Sequence, residues 1–259
     1  MKLGLVVNEG RAAACEFAER LQNAAARHGL VVGSAADPDC DVIVAVGGDG
    51  TVLDAARQAY HARRPVLGFN LGTIGFLAEV EPKDLEPALA RLADGDYRVE
   101  PRLTLCATLE DGSRQVGLND VVVEKIESQR LVVLDVEVDG ENFLTHRADG
   151  IVIATSTGST AYAFSAGGPL VDPALDTLLF TPVAPHSLFA RTLVLPPDVM
   201  IRVRVAADRP VRVSVDGFEI GEAAEGDVVT ITRGEHPIGF VRYDTEGFAA
   251  RVTRKFGLT

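Results

Sequence analysis

The sequence predicts an α/β N-terminal domain followed by a β-rich domain, and three observations carry that expectation. Up to about Tyr97, short apolar runs alternate with amphipathic stretches of helical length, the rhythm of a parallel sheet flanked by helices. Beyond it, runs rich in Val, Ile and Thr separated by Gly, Asp and Pro take over. The apolar share, 47% of 259 residues, is enough to fill a core in each part.

The elements follow in order. KLGLVVN is a first strand, its apolar run being too short and too soon polar for a signal peptide. EFAERLQNAAARHG is a helix that closes on His28 and Gly29, a good C-terminal signature. DVIVAV has the continuous apolar character of a strand covered on both faces. The chain then turns through GGDG, where Gly47, Gly48 and Gly50 permit positive φ and close approach, and Thr51 is suited to cap the helix TVLDAARQAYHA. PVLGFN is the next strand and DLEPALARLADG the next helix. In the second part RLTLCATLE, LNDVVVEKI, RLVVLDVEVDG, FLTHRADGIVIAT, RTLVLPP, IRVRVAA, RPVRVSVDG and DVVTITRG read as strands. One stretch breaks the series: GSTAYAFSAGG, residues 158–168, has the composition of a short helix, with Ser159 and Thr160 as ordinary caps or as part of a nucleotide-binding turn.

Composition excludes several classes. A net charge of −12 without any Lys/Arg block repels a nucleic-acid backbone. No apolar run reaches the ~18 residues of a membrane-spanning helix. Cys15, Cys40 and Cys106 lie far apart with no metal-ligand spacing, the usage of a reduced, cytoplasmic protein with ordinary core or partly buried thiols.

Asp49 is the residue on which chemistry turns. A carboxylate set among glycines between a buried strand and a helix stands where open α/β sheets bind ligands, beside helix-terminal amides that favour an anion. The same four residues also make a plain tight turn. The four lysines, Lys2, Lys83, Lys125 and Lys255, include none in a GxxxxGK loop, so phosphate charge falls to backbone amides, arginines and a divalent cation.

Taken together, GGDGT at 47–51, NLGTIGFL at 70–77, LNDVVV at 118–123, RADGIVIATSTGSTAYAFSAGGP at 147–169 and TPVAPHSLFAR at 181–191 resemble the NAD kinase family. GGDGT alone is shared with diacylglycerol, sphingosine and phosphofructokinase-type kinases; the TGSTAY…SAGGP run is the more specific. The resemblance implies a Rossmann-like first domain, residues 1–97 joined by about 245–259, and a β-sandwich-like second domain, residues 98–244, with the tail RVTRKFGLT returning to the first. It implies ATP-dependent phosphorylation of the adenosine ribose 2′-hydroxyl of NAD, with Asp49 as general base and Mg²⁺ arriving with ATP. By the same resemblance Gly50, Leu53, Phe76, Asn119, Asp120, Arg147, Asp149, Thr160, Ala161, Tyr162, Ser165 and Ala184 bind substrate. Leu53, Phe76 and Tyr162 also fit plain packing positions, and His186 reads as a packing residue. The family further implies a homodimer or homotetramer. Departures are Ser156 for a common Pro, Ala163-Phe164 in the SLSAGG segment, Thr192 for Pro and Phe218 where a polar residue is frequent. Two other readings stand beside this one, a lipid or sphingoid-base kinase and a non-catalytic NAD(P) sensor.

Overall fold

The computed structural model describes residues 1–72, 75–127, 130–207, 209–243 and 246–258. The chain divides into two compact units, Met1–Arg102 with Ile238–Thr259, and Leu103–Pro237. The sequence drew the border at 97/98, and its second border, near residue 245, falls outside the described residues. The reason for the difference is strand pairing, described below.

The first unit begins β1 (Lys2–Val7), α1 (Ala12–Arg27), β2 (Val31–Ser34), β3 (Val42–Gly47), α2 (Asp49–Ala62), β4 (Val66–Asn70), α3 (Leu85–Asp94) and β5 (Arg98–Arg102). Every residue of β3 is buried, as its continuous apolar run requires. Phe17 and Leu21 of α1 and Leu89 and Leu92 of α3 share one core with Val42, Val44 and Val46. Val52 of α2 approaches Gly68 on the other face of the sheet, so helices cover both sides. The sequence did not foresee β2, whose four residues are only half-buried or exposed.

The second unit is a pair of six-stranded sheets. Its strands are β6 (Leu105–Thr108), β7 (Arg114–Gly117), β8 (Asp120–Lys125), β9 (Val132–Val138), β10 (Glu141–Ala148) and β11 (Gly150–Thr155). After α4 (Tyr162–Ser165) come β12 (Leu178–Val183), β13 (Leu193–Leu195), β14 (Ile201–Val205), β15 (Val211–Val215), β16 (Phe218–Ala223) and β17 (Val228–Arg233). The sheet orders are β10-β9-β14-β17-β6-β7 and β13-β12-β11-β8-β15-β16. Alternate residues of both sheets, Leu134 and Val203 from one and Val121, Ile153 and Val213 from the other, fill one core. FLTHRADGIVIAT is therefore two strands, broken at Asp149 where the chain passes from one sheet to the other.

The chain then re-enters the first unit as β18 (Ile238–Arg242) and α5 (Phe248–Phe256). β18 pairs parallel to β4 and antiparallel to β5, which completes the order β2-β1-β3-β4-β18-β5. This pairing draws residues 98–102 and 238–242 into the first sheet. No described helix is long and apolar enough to cross a membrane.

Candidate active site

In the first sheet β3 and β1 are neighbours, with β2 beyond β1 and β4 beyond β3, so the strand order reverses between β1 and β3. That is a topological switch point, and the carboxyl end of β3 carries Gly47-Gly48-Asp49-Gly50. Helix α2 starts at Asp49 with Gly48 as its N-cap, three residues before the cap expected at Thr51. Nor do the glycines serve positive φ, since none of Gly47, Gly48 and Gly50 lies in the left-handed region. Their use is spatial. A side chain at Gly47 would overlap Thr51, whereas Gly48 and Gly50 face open space.

The Asp49 carboxylate is held by backbone. Oδ2 accepts the Phe76 N–H at 2.9 Å and Oδ1 the Leu77 N–H at 3.2 Å. Any Cβ on Gly75 would overlap this carboxylate, so the 75–77 backbone lies directly against it. Leu53, one turn along α2, shares the face of Asp49 and is half-buried, as is Phe76. Among the described residues neither belongs to the two large apolar cores given above. The structure thus brings Asp49, Gly50, Leu53 and Phe76 together.

Behind this loop stand arginines that sequence reading passed over. Arg251 Nη1 donates to Phe76 O at 3.0 Å, and Arg242 Nη1 donates to Glu79 Oε2 at 2.6 Å and, more weakly, to Leu77 O at 3.4 Å. Arg251 Nη2 also lies 3.5 Å from Glu79 Oε2, and the Tyr243 N–H donates to Glu79 Oε1 at 3.0 Å. Side chains of Arg242, Glu79 and Arg251 are only 3%, 4% and 11% exposed, so these charges depend on one another. Burial, with Arg242 alongside, pushes the Arg251 pKa below its ordinary value. The available signal was faint, since Glu79 is one of several charged residues in its segment and Arg242 lies 163 residues away from it.

In the second unit Asp120 opens β8 and Asn119 stands just before it. The Asp216 carboxylate accepts N–H groups of Leu118 at 2.7 Å, Asn119 at 2.7 Å and Asp120 at 3.1 Å. On its other side Asn119 O accepts the Thr155 N–H at 2.8 Å, and a Cβ at Gly158 would overlap that carbonyl. The GSTAY segment is therefore seated on the Asn119 backbone, as a 3₁₀ turn over Thr157–Thr160 followed by the four residues of α4. Asn119 Oδ1 is buried with no hydrogen-bond partner among the described residues. Asp120 is buried too, and its pKa is raised to about 7 by loss of solvation and by Asp216, against a hydrogen bond from the Tyr162 backbone.

Tyr162 is 37% exposed and so is no core aromatic. Burial of part of the ring, then the charges of Glu124, Asp149 and Asp120, raise its pKa. Asp120, Val122 and Glu124 alternate onto one face of β8, where Ala163 packs on Val122, Val152 and Ala154. Glu124 was not foreseen, although its place two and four residues after Val122 and Asp120 carried the signal. Thr160 Oγ1 donates to Thr157 O at 3.2 Å, Ala161 is half-buried, and Ser165 is exposed. At the far end of β8, Lys125 pairs with Asp149, Arg147 is exposed with its carbonyl taken by the His186 N–H, and Ala184 has φ 45°. Asn119–Asp120 and Arg147–Asp149–Ala184 thus lie at opposite ends of one strand. Two packing expectations fail, for His186 and Cys15 are both exposed.

An open α/β sheet with a carboxylate at its switch point, joined to a β-sandwich that carries a polar pair under a GSTAY turn, defines a two-unit kinase of the GGDGT class. Comparison with known proteins narrows the class. Residues 31–97 match the ATP-NAD kinase N-terminal domain and 118–243 the ATP-NAD kinase C-terminal domain. NAD kinase of Nocardia farcinica is 45% identical over 230 residues, 87% of this chain and 71% of the relative. That of Moorella thermoacetica is 42% identical over 217 residues, 82% and 70%. Among solved structures, yeast NADH kinase complexed with NADH superposes with a TM-score of 0.86 at 26% identity, covering 100% of this chain and 88% of that one. An NAD kinase from Archaeoglobus fulgidus in complex with ATP gives 0.80 at 27% identity, covering 100% and 97%. The chain belongs to the NAD kinase family, whose activity is ATP-dependent phosphorylation of NAD.

Proposed function

We propose that Asp49 is the general base of this reaction and that the acceptor is the adenosine ribose 2′-hydroxyl of NAD. The 2′-oxygen forms a bond to the γ-phosphorus of ATP as the bond from that phosphorus to the β,γ-bridging oxygen breaks. The hydroxyl proton passes to the Asp49 carboxylate, and NADP and ADP leave. One observation carries the reading: at the switch point the carboxylate is oriented by two backbone amides, with open glycines on either side through which a substrate can approach.

Other residues follow from chemistry. Asn119 Oδ1, buried without a partner, has a hydrogen bond to accept, and its amide has donors to give, which suits a ribose diol. Asp120, whose pKa is about 7, can donate as well as accept there near neutral pH. Leu53 and Phe76 offer apolar surface to an adenine; Gly50 offers an exposed helix-terminal amide; Thr160, Ala161, Tyr162 and Ser165 line the GSTAY side of the dinucleotide. Arg147, Asp149 and Ala184, at the other end of β8, suit the far end of a dinucleotide bound near a second copy in a homodimer or homotetramer.

Among the described residues no three His, Cys, Asp or Glu side chains converge on a metal position. Single carboxylates and backbone oxygens are the donors on offer, which fits Mg²⁺ entering as part of its ATP complex, on phosphate oxygens and waters. The ion supplies charge neutralisation on the phosphates. The three cysteines are all free, which supports a reducing compartment such as the cytoplasm. Family membership favours neither a lipid kinase nor a silent sensor.

Asp49→Asn tests the reading. Size and turn preference persist while the base is lost, so the single-turnover rate falls by about 10²–10⁴-fold and calorimetric affinities for NAD and ATP are largely kept. A variant that binds both nucleotides and turns over at the parental rate overturns the assignment.

A further inference from the structure

We propose that Arg251 of α5 is a positioning residue for phosphoryl transfer, gripping the peptide whose other edge aims the Asp49 carboxylate. The inference rests on the reading of Asp49 as base.

Phe76 O and Leu77 N belong to the same planar trans peptide. Arg251 Nη1 donates to its oxygen at 3.0 Å, and its N–H donates to Asp49 Oδ1 at 3.2 Å. Cation, peptide and carboxylate therefore form one polarised row, in which the guanidinium on the oxygen strengthens the N–H as a donor. The preceding N–H, on Phe76, holds the other carboxylate oxygen at 2.9 Å. With no room for a Cβ at Gly75, a retreat of this backbone would withdraw both donors from Asp49 together.

The C-terminal helix is built around this grip. None of the residues of α5 is fully buried, and Phe248, Arg251, Val252 and Lys255 are half-buried. Several of its contacts reach Phe76, whose ring lies 6.2 Å from that of Phe256 and 5.8 Å under Lys255 Nζ, while Arg254 pairs with Glu81 and Glu246. Burying most of a guanidinium is costly unless its hydrogen bonds are met, and Arg251 meets them on Phe76 O and Glu79. Glu79 already has the nearer Arg242 at 2.6 Å. What Arg251 adds is the hold on Phe76.

The test is Arg251→Met in the full chain, alone and combined with Asp49→Asn. Single-turnover rate at saturating NAD and Mg²⁺–ATP should fall on the order of 10- to 100-fold, the scale of a misplaced catalytic group. ATP affinity should hold, NAD affinity should weaken through Phe76 by far less than the rate falls, and amide hydrogen exchange at Phe76 and Leu77 should speed up. In the Asp49→Asn background the rate penalty should vanish, because the group being aimed is gone. Arg251→Lys, which keeps a cationic donor, should recover part of the rate, and it carries the same comparisons if the methionine variant does not fold. An equal penalty in both backgrounds, unchanged exchange at Phe76 and Leu77, or a parental rate overturns the proposal while leaving the base assignment standing. Parental turnover by Asp49→Asn alone removes the base assignment, and this proposal with it.

Discussion

Three aspartates are handled by three different local environments. Asp49 is aimed by two backbone amides, Asp216 is bound by three, and Asp120 is buried beside Asp216 with its charge disfavoured. Asp216, at φ 51°, serves the backbone of Leu118–Asp120 and thereby fixes Asn119, whose own side-chain oxygen is left without a partner among the described residues. Asn119→Ala should therefore weaken NAD binding by about 1–3 kcal/mol, the cost of an unpaired group in a half-buried site. Isothermal calorimetry with each nucleotide checks it, since ATP affinity should change far less. Asp49 could be picked out in the sequence because it stands among glycines between a strand and a helix, whereas Asn119 and Asp120 were marked by the resemblance to NAD kinases, a polar pair at a strand start being otherwise ordinary. Asp216 was visible only as half of an Asp-Gly turn, and its three amide bonds span 96 to 98 residues of sequence, beyond the reach of any local pattern.

Elements with a clear apolar run or helical spacing were mostly legible, while exposed strands such as β5 and β16 were obscure and the buried β12 and β18 were passed over. β3, β8 and α1 announce themselves through apolar runs or helical spacing, whereas β5, β7, β12, β16 and β18 were not singled out. β5, for instance, exposes Arg98 and Val99 and is a strand chiefly because β18 bonds to it. The junction of the GSTAY turn with β8 is a contact of this non-local kind. Gly158→Ala puts a methyl group into the Asn119 carbonyl, and since the overlapping atoms are backbone rather than the end of a flexible side chain, we expect a loss of about 1–3 kcal/mol of stability. Urea unfolding measures that loss, and NAD affinity should fall with it because the displaced atoms belong to Asn119.

On the scale of the whole molecule, two buried groups give stability opposing dependences on pH. His146 is fully buried in the sandwich with neither ring nitrogen bonded among the described residues, and burial lowers its pKa from 6.5. The unfolded chain takes up that proton first, so this contribution is present above pH 6.5 and is lost as pH falls through the folded value. Asp120 runs the other way. Its pKa rises from 3.8 to about 7 on folding, so its contribution is complete below pH 3.8 and is lost as pH climbs through about 7. Relative to the parent, His146→Leu should gain melting temperature between pH 5 and 6, and Asp120→Asn should gain it at pH 8; thermal scans at the two ends of the range separate them. The path of the chain has a different consequence. β18 lies between β4 and β5 in the first sheet, yet it follows the entire second unit in sequence. A ribosome, which releases residues N-terminus first, thus emits the sandwich before the strand that closes the α/β sheet. Until then β4 and β5 each present an unpaired edge, and Arg242 and Arg251 have not yet reached Glu79. The nascent chain accordingly holds the Asp49 turn and the 75–77 backbone without Arg242 and Arg251 until translation has passed the whole second unit, so that a product terminated before that point lacks the hydrogen bonds these arginines give to Phe76 and Leu77.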